Sequence, residues 1–335
     1  MPPRAEDKAM HLGEKAPPQR PGARLRALLA HHRPLVVPVC YDAMSARVLE
    51  HVGFPAIYMS GYGSSLALLG LPGAGLITLT EMATNARYIA AAVRVPVIAD
   101  ADTGYGNALN AIRTVEEYVR AGAAGLHLED QVAPKRCGHV AGREVIGREE
   151  AVRRIRAACA ARDALDPTFV IVARTDARGA HGGSLDEAIW RASAFLDAGA
   201  DLAFVEGPAS VAEVERVCRE VGGGRVFYNM TGISPRFTER EMAALGIAVC
   251  ILPGLAMRAT LMALHDVARA LKEKGTAAEP EFDARYRAHP MGDLHGFAGF
   301  ARIRALEAEF LPPEAGRKYA ASLGYQPPVA PPAAG

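Results

Sequence analysis

The chain has 335 residues, of which 50% are hydrophobic and 22% charged, and its formal net charge is +1. That length and apolar content can fill a large core, either in two ordinary domains or in one big α/β barrel. Basic and acidic residues are mixed along the chain without a like-charge block, so nothing points to a nucleic-acid partner or an acidic tail, while small anionic substrates stay open.

Residues 1–22 are rich in Pro, charge and small side chains and are expected to form a mobile tail. Arg4, Glu6, Asp7 and Lys8 precede no apolar run, which argues against a secretory signal. From Leu25 onward one pattern repeats: a helical run ends on glycine, and a short apolar strand follows. It is seen at Val48 to His51, Gly53 and Ala56 to Ser60, and again at Val115 to Ala121, Gly122 and Gly125 to Glu129. It returns at Ala188 to Ala198, Gly199 and Leu202 to Glu206, and at Met242 to Leu245, Gly246 and Ala248 to Leu252. Glycine after the last turn supplies the left-handed residue that ends a helix without steric cost.

The uncharged stretch Gly53 to Thr80 is long enough for a membrane span, but Pro55, Pro72 and repeated glycines would break a lipid-facing helix. It is read as a buried strand followed by a glycine-rich loop, and no membrane partner is expected. Helix starts are marked by capping-box spacings at Thr78 and Glu81, Ser184 and Glu187, Ser210 and Glu213, and Thr238 and Glu241. Adding Leu35 to Val39, Val97 to Asp100, Phe169 to Ala173 and Arg225 to Tyr228 gives eight strands alternating with helices. That alternation predicts a closed parallel (β/α)8 barrel of the TIM type. The open doubly wound sheet has little support, because no G-x-G-x-x-G opens a helix after the first strand. The expected domains are the tail 1–22, a barrel over 23–275, and a helical extension with a Pro-rich end over 276–335. In the extension, Phe297 to Phe310 reads as a helix whose Ile303, Leu306 and Phe310 could dock on this barrel or on a neighbour's.

Polar residues gather where the strands end. Ser60 and Gly61 follow the second strand, Asp100 and Asp102 the third, Glu129 the fourth, Arg174 and Asp176 the fifth, Glu206 the sixth, and Asn229 and Thr231 the seventh. In a closed barrel these positions surround one mouth. The fourth strand runs into Lys135, Arg136, Cys137 and His139, and a thiol among such neighbours is expected to have its thiolate stabilised by positive charge. The same composition also fits a surface loop with an incidental cysteine. His127, two residues before Glu129, reads equally as a barrel-interior residue or a pocket contact. The five cysteines include no C-x-x-C pair, so neither a disulfide framework nor a zinc site is expected and a reducing cytoplasm is the natural compartment. Cys40, Cys159, Cys218 and Cys250 read as inert core residues.

Seven segments together resemble the isocitrate lyase and phosphoenolpyruvate mutase superfamily over roughly Val36 to Phe310. They are M-S-G at Met59 to Gly61, L-G-L-P at Leu69 to Pro72, D-A-D-T-G-Y-G-N at Asp100 to Asn107, E-D-Q at Glu129 to Gln131, K-R-C-G-H at Lys135 to His139, A-R-T-D-A at Ala173 to Ala177, and N-M-T at Asn229 to Thr231. The resemblance implies an eight-stranded α/β barrel whose C-terminal helices are exchanged in a homodimer or homotetramer. It implies that Asp100, Asp102 and Glu129 hold Mg2+ (or Mn2+), directly or through water. Ser60, Gly61 and Tyr62 would bind a carboxylate or oxyanion of a small carboxylate substrate, Arg174 would grip a carboxylate, and Glu206, Asn229 and Thr231 would line the same pocket.

The cysteine motif resembles that of the C–C bond lyases, in which this residue protonates a carbanion-like product. By that likeness Cys137 is the proton donor, with Lys135, Arg136 and His139 tuning the thiol and stabilising the enolate. The short chain, without the long insertion of larger isocitrate lyases, matches the 2-methylisocitrate or dimethylmalate lyase branch. A phosphonomutase, an oxaloacetate decarboxylase or hydrolase, and a non-catalytic dicarboxylate-binding homologue are the alternatives. Two departures stand out: Gly73 replaces the acid that usually follows L-G-L-P, and T-G-I-S-P after Asn229 is shorter than the usual glycine-rich loop, which implies an altered distal pocket.

Overall fold

The computed structural model describes residues 19–328. These residues divide into two compact units, one up to Ala259 and the other from Thr260 onward. In the first, β1 (Leu35–Cys40), β2 (Ile57–Met59), β3 (Val97–Asp100), β4 (Gly125–Glu129), β5 (Val170–Thr175), β6 (Leu202–Val205), β7 (Val226–Asn229) and β8 (Ile247–Leu252) close a barrel in sequence order. Every neighbouring pair is parallel, and β1 meets β8 through Leu35 with Val249 and Val37 with Ile251. All eight expected strands are present.

The helices between them are α2 (Ala43–Val52), α3 (Gly61–Leu69), α4 (Leu79–Ala92), α5 (Ala108–Arg120), α6 (Arg148–Leu165), α7 (Leu185–Asp197), α8 (Val211–Val221) and α9 (Glu239–Leu245), with α1 (Pro21–His31) ahead of the barrel. Their caps follow the sequence signals. Thr78 and Thr238 form reciprocal boxes with Glu81 and Glu241, whereas Ser184 and Ser210 cap by side chain alone. Gly53 and Gly246 close α2 and α9 in the left-handed conformation.

Strand periodicity separates two apolar layers. Leu126 and Leu128 of β4, with Ile171 and Ala173 of β5, pack outward under the helices. Alternate positions such as Val37, Tyr58, Ile98, Val172, Phe204, Phe227 and Ile251 share a separate cluster inside the barrel. Leu25 of α1 is fully buried in that inner cluster, so α1 plugs the end at which the strands begin. Gly22 permits this approach, because a Cβ there would lie 2.5 Å from the Thr168 carbonyl oxygen.

Two expectations need correction. The expected tail 1–22 falls largely outside the described residues, but its last two, Pro21 and Gly22, form the first turn of α1 because proline is preset for that position. The glycine-rich loop after β2 begins instead with the helix α3, whose first turn is held by Ser60 Oγ accepting from the Gly63 N–H at 2.9 Å. Beyond Lys274 the extension continues as α11 (Ala278–Arg287), with Pro280 in the first turn where it interrupts no hydrogen bond.

The second unit holds most of α10 (Leu255–Lys274), then α11, α12 (Leu294–Ala298), α13 (Phe300–Phe310) and α14 (Pro313–Ala320). The helix expected over Phe297 to Phe310 is broken at Gly299, which has a φ of +100°. Among the described residues, no helix is long and apolar enough to cross a membrane.

Candidate active site

On six of the eight strands, β2 to β7, an inward-facing residue is followed two positions later, on the same face, by a polar one. Tyr58 is followed by Ser60, Ile98 by Asp100, His127 by Glu129, Val172 by Arg174, Phe204 by Glu206 and Phe227 by Asn229. Because side-chain direction repeats every two residues, this parity alone aims the group into the barrel mouth. Tyr58, His127, Phe204 and Phe227 form a closed ring of tilted or stacked contacts, with centroids 5.1–6.1 Å apart. That ring is the dry floor of the site.

Asp100, Asp102 and Glu129 are all buried on this floor. Asp100 accepts from the Gly61 N–H through Oδ2 and from the Asp102 N–H through Oδ1, both at 3.0 Å. Gly61 must lack a side chain, since a Cβ would stand 2.7 Å from Asp100 Oδ2. Burial would raise the Asp100 carboxyl, but His127, with Nδ1 3.2 Å away, and Lys135 overcome it and hold the group well below the usual carboxylate range. Burial wins at the other two. It raises the Asp102 carboxyl despite Lys135, and it pushes Glu129 up to about 8 against Lys135 and Arg174.

Lys135 reaches into the acids, with Nζ 2.5 Å from Asp102 Oδ1 and 3.9 Å from Glu129 Oε1. Burial would discharge it, but Asp102, Glu129 and Asp100 hold its pKa above the ordinary lysine value. Arg174 donates from Nε and Nη2 to the two Asp176 oxygens at 2.9 and 3.0 Å, lies over the Phe204 ring, and stands 3.5 Å from Glu129 and 3.6 Å from Glu206. Asn229 Nδ2 donates to Glu206 Oε2 at 3.1 Å, and His139 Nε2 is 3.7 Å from Glu206 Oε1.

The cysteine loop lies over this group. A Cβ on Gly138 would meet Arg174 Nη2 at 2.5 Å and the Glu206 carboxyl carbon at 2.8 Å, and a Cβ on Gly232 would run into the His139 ring. Cys137, half-buried, therefore sits between a lysine among the acids and a glycine against Arg174. The other four cysteines are pushed up by burial, to about 12 at Cys40 and Cys250 and about 11 at Cys159 and Cys218, in keeping with inert thiols.

Some expected pocket residues occupy other places. The Ser60 hydroxyl caps α3 and the Gly61 N–H is engaged by Asp100, while Tyr62 is exposed and packs against Gly73. A Cβ at residue 73 would lie 3.0 Å from Tyr62, so this tyrosine covers the position at which the resemblance leads one to expect an acid. Thr231 is half-buried on the turn after β7, its N–H donating to the Asn229 carbonyl. His127 is both things at once, an interior residue hydrogen-bonded to the Tyr58 hydroxyl at 2.7 Å and a neighbour of the acids.

Residues that sequence reasoning missed support the arginine. Arg143 Nη1 donates to Asp176 at 3.0 Å, and the Asp176 N–H donates to Asp130, which Arg191 also holds at 3.1 Å. Asp176 was visible at a strand end. Arg143 lies in an irregular loop where no periodicity marks it.

The donor set suits a hard divalent cation. Both Glu129 oxygens are buried without a hydrogen-bond partner and Asp102 Oδ1 meets Lys135 alone, and among the described residues the ring of five acids (Asp100, Asp102, Glu129, Asp176, Glu206) faces three permanent cations (Lys135, Arg143, Arg174). Among the described residues no group of three or more His, Cys, Asp or Glu closes into a ready cage. Magnesium needs none, since it keeps several waters and takes one or two carboxylates directly.

Residues 25–272 match the family model described as phosphoenolpyruvate phosphomutase. The chain is 45% identical to a 2,3-dimethylmalate lyase of Eubacterium barkeri, covering 86% of this chain and 97% of that protein. It is 41% identical to a 2-methylisocitrate lyase of Aeropyrum pernix, covering 86% and 91%. The crystal structure of a phosphonopyruvate hydrolase in complex with oxalate and Mg++ superposes with a TM-score of 0.77 at 32% identity, covering 88% of this chain and all of that one. With barrel, mouth and sequence in agreement, the chain belongs to the phosphoenolpyruvate phosphomutase family.

Proposed function

We propose that the protein is a Mg2+-dependent carbon–carbon lyase that cleaves a 2-hydroxy dicarboxylate of the 2-alkylmalate type, or the related 2-methylisocitrate, to a 2-oxo acid and a second carboxylate. The observation that carries the reading is the buried trio Asp100, Asp102 and Glu129, with both Glu129 oxygens lacking donors, set beside Arg174 and under the cysteine loop. Relatives named as lyases of dimethylmalate and methylisocitrate support the substrate class, and the Mg++ complex of a hydrolase relative supports the metal.

When bound on Asp100, Asp102 and Glu129, Mg2+ supplies Lewis acidity toward the hydroxyl and carboxylate of the substrate. Arg174 spends Nε and Nη2 on Asp176, which leaves Nη1 for a substrate carboxylate and fixes the plane of the fork. Asp130 and Arg143 keep Asp176 in place, so the arginine is aimed before substrate arrives. A general base takes the hydroxyl proton, the C–C electron pair moves to the departing fragment as an enolate, the hydroxyl carbon becomes a carbonyl, and the Cys137 thiol gives its proton to the enolate carbon and is left as the thiolate. Lys135, held charged by its acids, stabilises negative charge on the departing fragment. The aromatic floor excludes water and strengthens each of these interactions.

This reading keeps residues 23–275 as the catalytic domain, 276–335 as an extension exchanged in a homodimer or homotetramer, and the cytoplasm as the compartment. Exposed Leu261, Leu264 and Leu271 on α10 support a covered face in the assembly.

The test is turnover of 2,3-dimethylmalate, other 2-alkylmalates and 2-methylisocitrate with Mg2+, read as release of 2-oxo acid. Phosphonopyruvate followed by phosphorus NMR and oxaloacetate run in parallel, because a hydrolase and mutases share this family. Turnover of either with none of the malates would replace the lyase reading. Magnesium and dicarboxylate binding without turnover on the whole panel would identify a non-catalytic homologue.

A further inference from the structure

The end of the barrel away from the acids carries a second concentration of charge, of the opposite sign. A cavity of about 220 Å3 lies there between α1 and the starts of β6, β7 and β8, lined by Arg26, Leu29, Arg33, Asp201, Gly224 and Arg225 among others. Its one carboxylate is already engaged. Asp201 takes Arg26 Nη1 at 2.8 Å, Arg162 Nη1 at 3.0 Å and the Ile171 N–H at 2.8 Å. Arg26 is engaged too, donating to the Thr168 and Phe169 carbonyls at 2.8 and 3.0 Å.

Arg33 and Arg225 differ from these. Among the described residues, neither guanidinium has a hydrogen-bond or ion-pair partner. The turn before β7 lies beside both exposed side chains: a Cβ on Gly223 would stand 3.5 Å from Arg225 Nε, and a Cβ on Gly224 would run into Arg33 Nη1. Both glycines have positive φ, +71° and +65°, so the backbone turns here without side chains and leaves its face to the two arginines. Two like charges over one bare turn repel each other, and a shared counter-anion turns that repulsion into attraction. A guanidinium offers paired N–H groups that match a phosphate or carboxylate, and a tetrahedral dianion can accept from two forks arriving from different sides.

We infer that this cavity binds a small phosphate-class oxyanion between Arg33 and Arg225 on the Gly223–Gly224 turn, at the closed end of the barrel and apart from the acid mouth. The anion ties the link between α1 and β1 to the turn between α8 and β7, so binding stabilises the fold. The two sources of such a group are free phosphate and a phosphomonoester.

The experiment is thermal unfolding of the full chain with inorganic phosphate or glycerol phosphate, against chloride at matched ionic strength. A saturable rise in Tm is expected with at least one of them, and which one identifies the source. Arg33→Gln and Arg225→Gln each shrink the rise at least threefold, whereas Arg174→Gln, at the other end, retains it. Arg33→Lys keeps the charge but loses the fork, and is expected to retain only part of the rise. No rise with either anion, an undiminished rise in the Arg33→Gln and Arg225→Gln variants, or its loss in Arg174→Gln overturns the inference.

Discussion

The two ends of the barrel use the same eight strands for opposite purposes. At the base, the inner face is apolar and is sealed by Leu25 of α1, with the Arg26 and Asp201 pair tying the helix down. At the mouth, two residues further along β3, β4 and β6, the same face carries the buried acids Asp100, Glu129 and Glu206, and the Glu129 oxygens lack donors. A buried carboxylate without full hydrogen bonding destabilises the fold, so the mouth is maintained by the rest of the barrel rather than contributing to it. The contrast teaches that alternation fixes where a side chain points, while position along the strand decides whether that direction serves packing or chemistry.

Substitutions should therefore separate cleanly by end. The largest effect is expected at Cys137, where Cys137→Ala should lower kcat by about 10²–10⁴-fold with little change in thermal stability, as measured by steady-state kinetics. Full turnover by that variant removes the thiol from the proposed mechanism. Next comes Gly61→Ala, whose Cβ would press on Asp100. It should weaken Mg2+ dependence at least tenfold in a titration of activity against metal, while the circular dichroism spectrum is kept.

The base should respond in the other sense. Leu25→Ala empties a fully buried site and should cost about 2–5 kcal/mol in urea unfolding, with kcat near that of the unchanged protein. If this variant loses activity while remaining folded, the two ends are coupled and the contrast fails.

The smallest effect concerns pH in chelated protein. Glu129 ordinarily ionises near 4.5 and is raised to about 8 in the fold, chiefly by burial. Its protonated form therefore favours the fold, and that contribution is present at low pH and is lost as pH rises from the usual carboxylate range through about 8. Glu129→Gln should flatten the fall in Tm over this window by about 2–4 °C, read by scanning fluorimetry in EDTA. An unchanged slope would show that the acid is not forced into a dry site.

Much of this architecture was legible in the chain. The eight strands, the helix caps at Thr78, Ser184, Ser210 and Thr238, and the acids at strand ends follow from local rules that act within a few residues. The helix α3 was not legible, because Gly61 and Gly63 weigh against helix, and only the Ser60 cap and the close approach to Asp100 make them necessary. Trp190 of α7 is 42% exposed beneath the Arg148 guanidinium, which the helical period does not reveal, since it identifies a buried face only when the neighbouring helix is known.

By itself, then, the sequence determined the alternation of strands and helices, and with it the parity that aims Asp100, Glu129, Arg174, Glu206 and Asn229 inward. Only the closed barrel decided that Lys135 enters the acids, that Arg143 and Asp130 hold Asp176 in place, and that Arg33 and Arg225 share one turn. The physical reason is range: capping and alternation act between near neighbours in the chain, whereas charge pairing and burial depend on distances that exist only after segments remote in sequence have met.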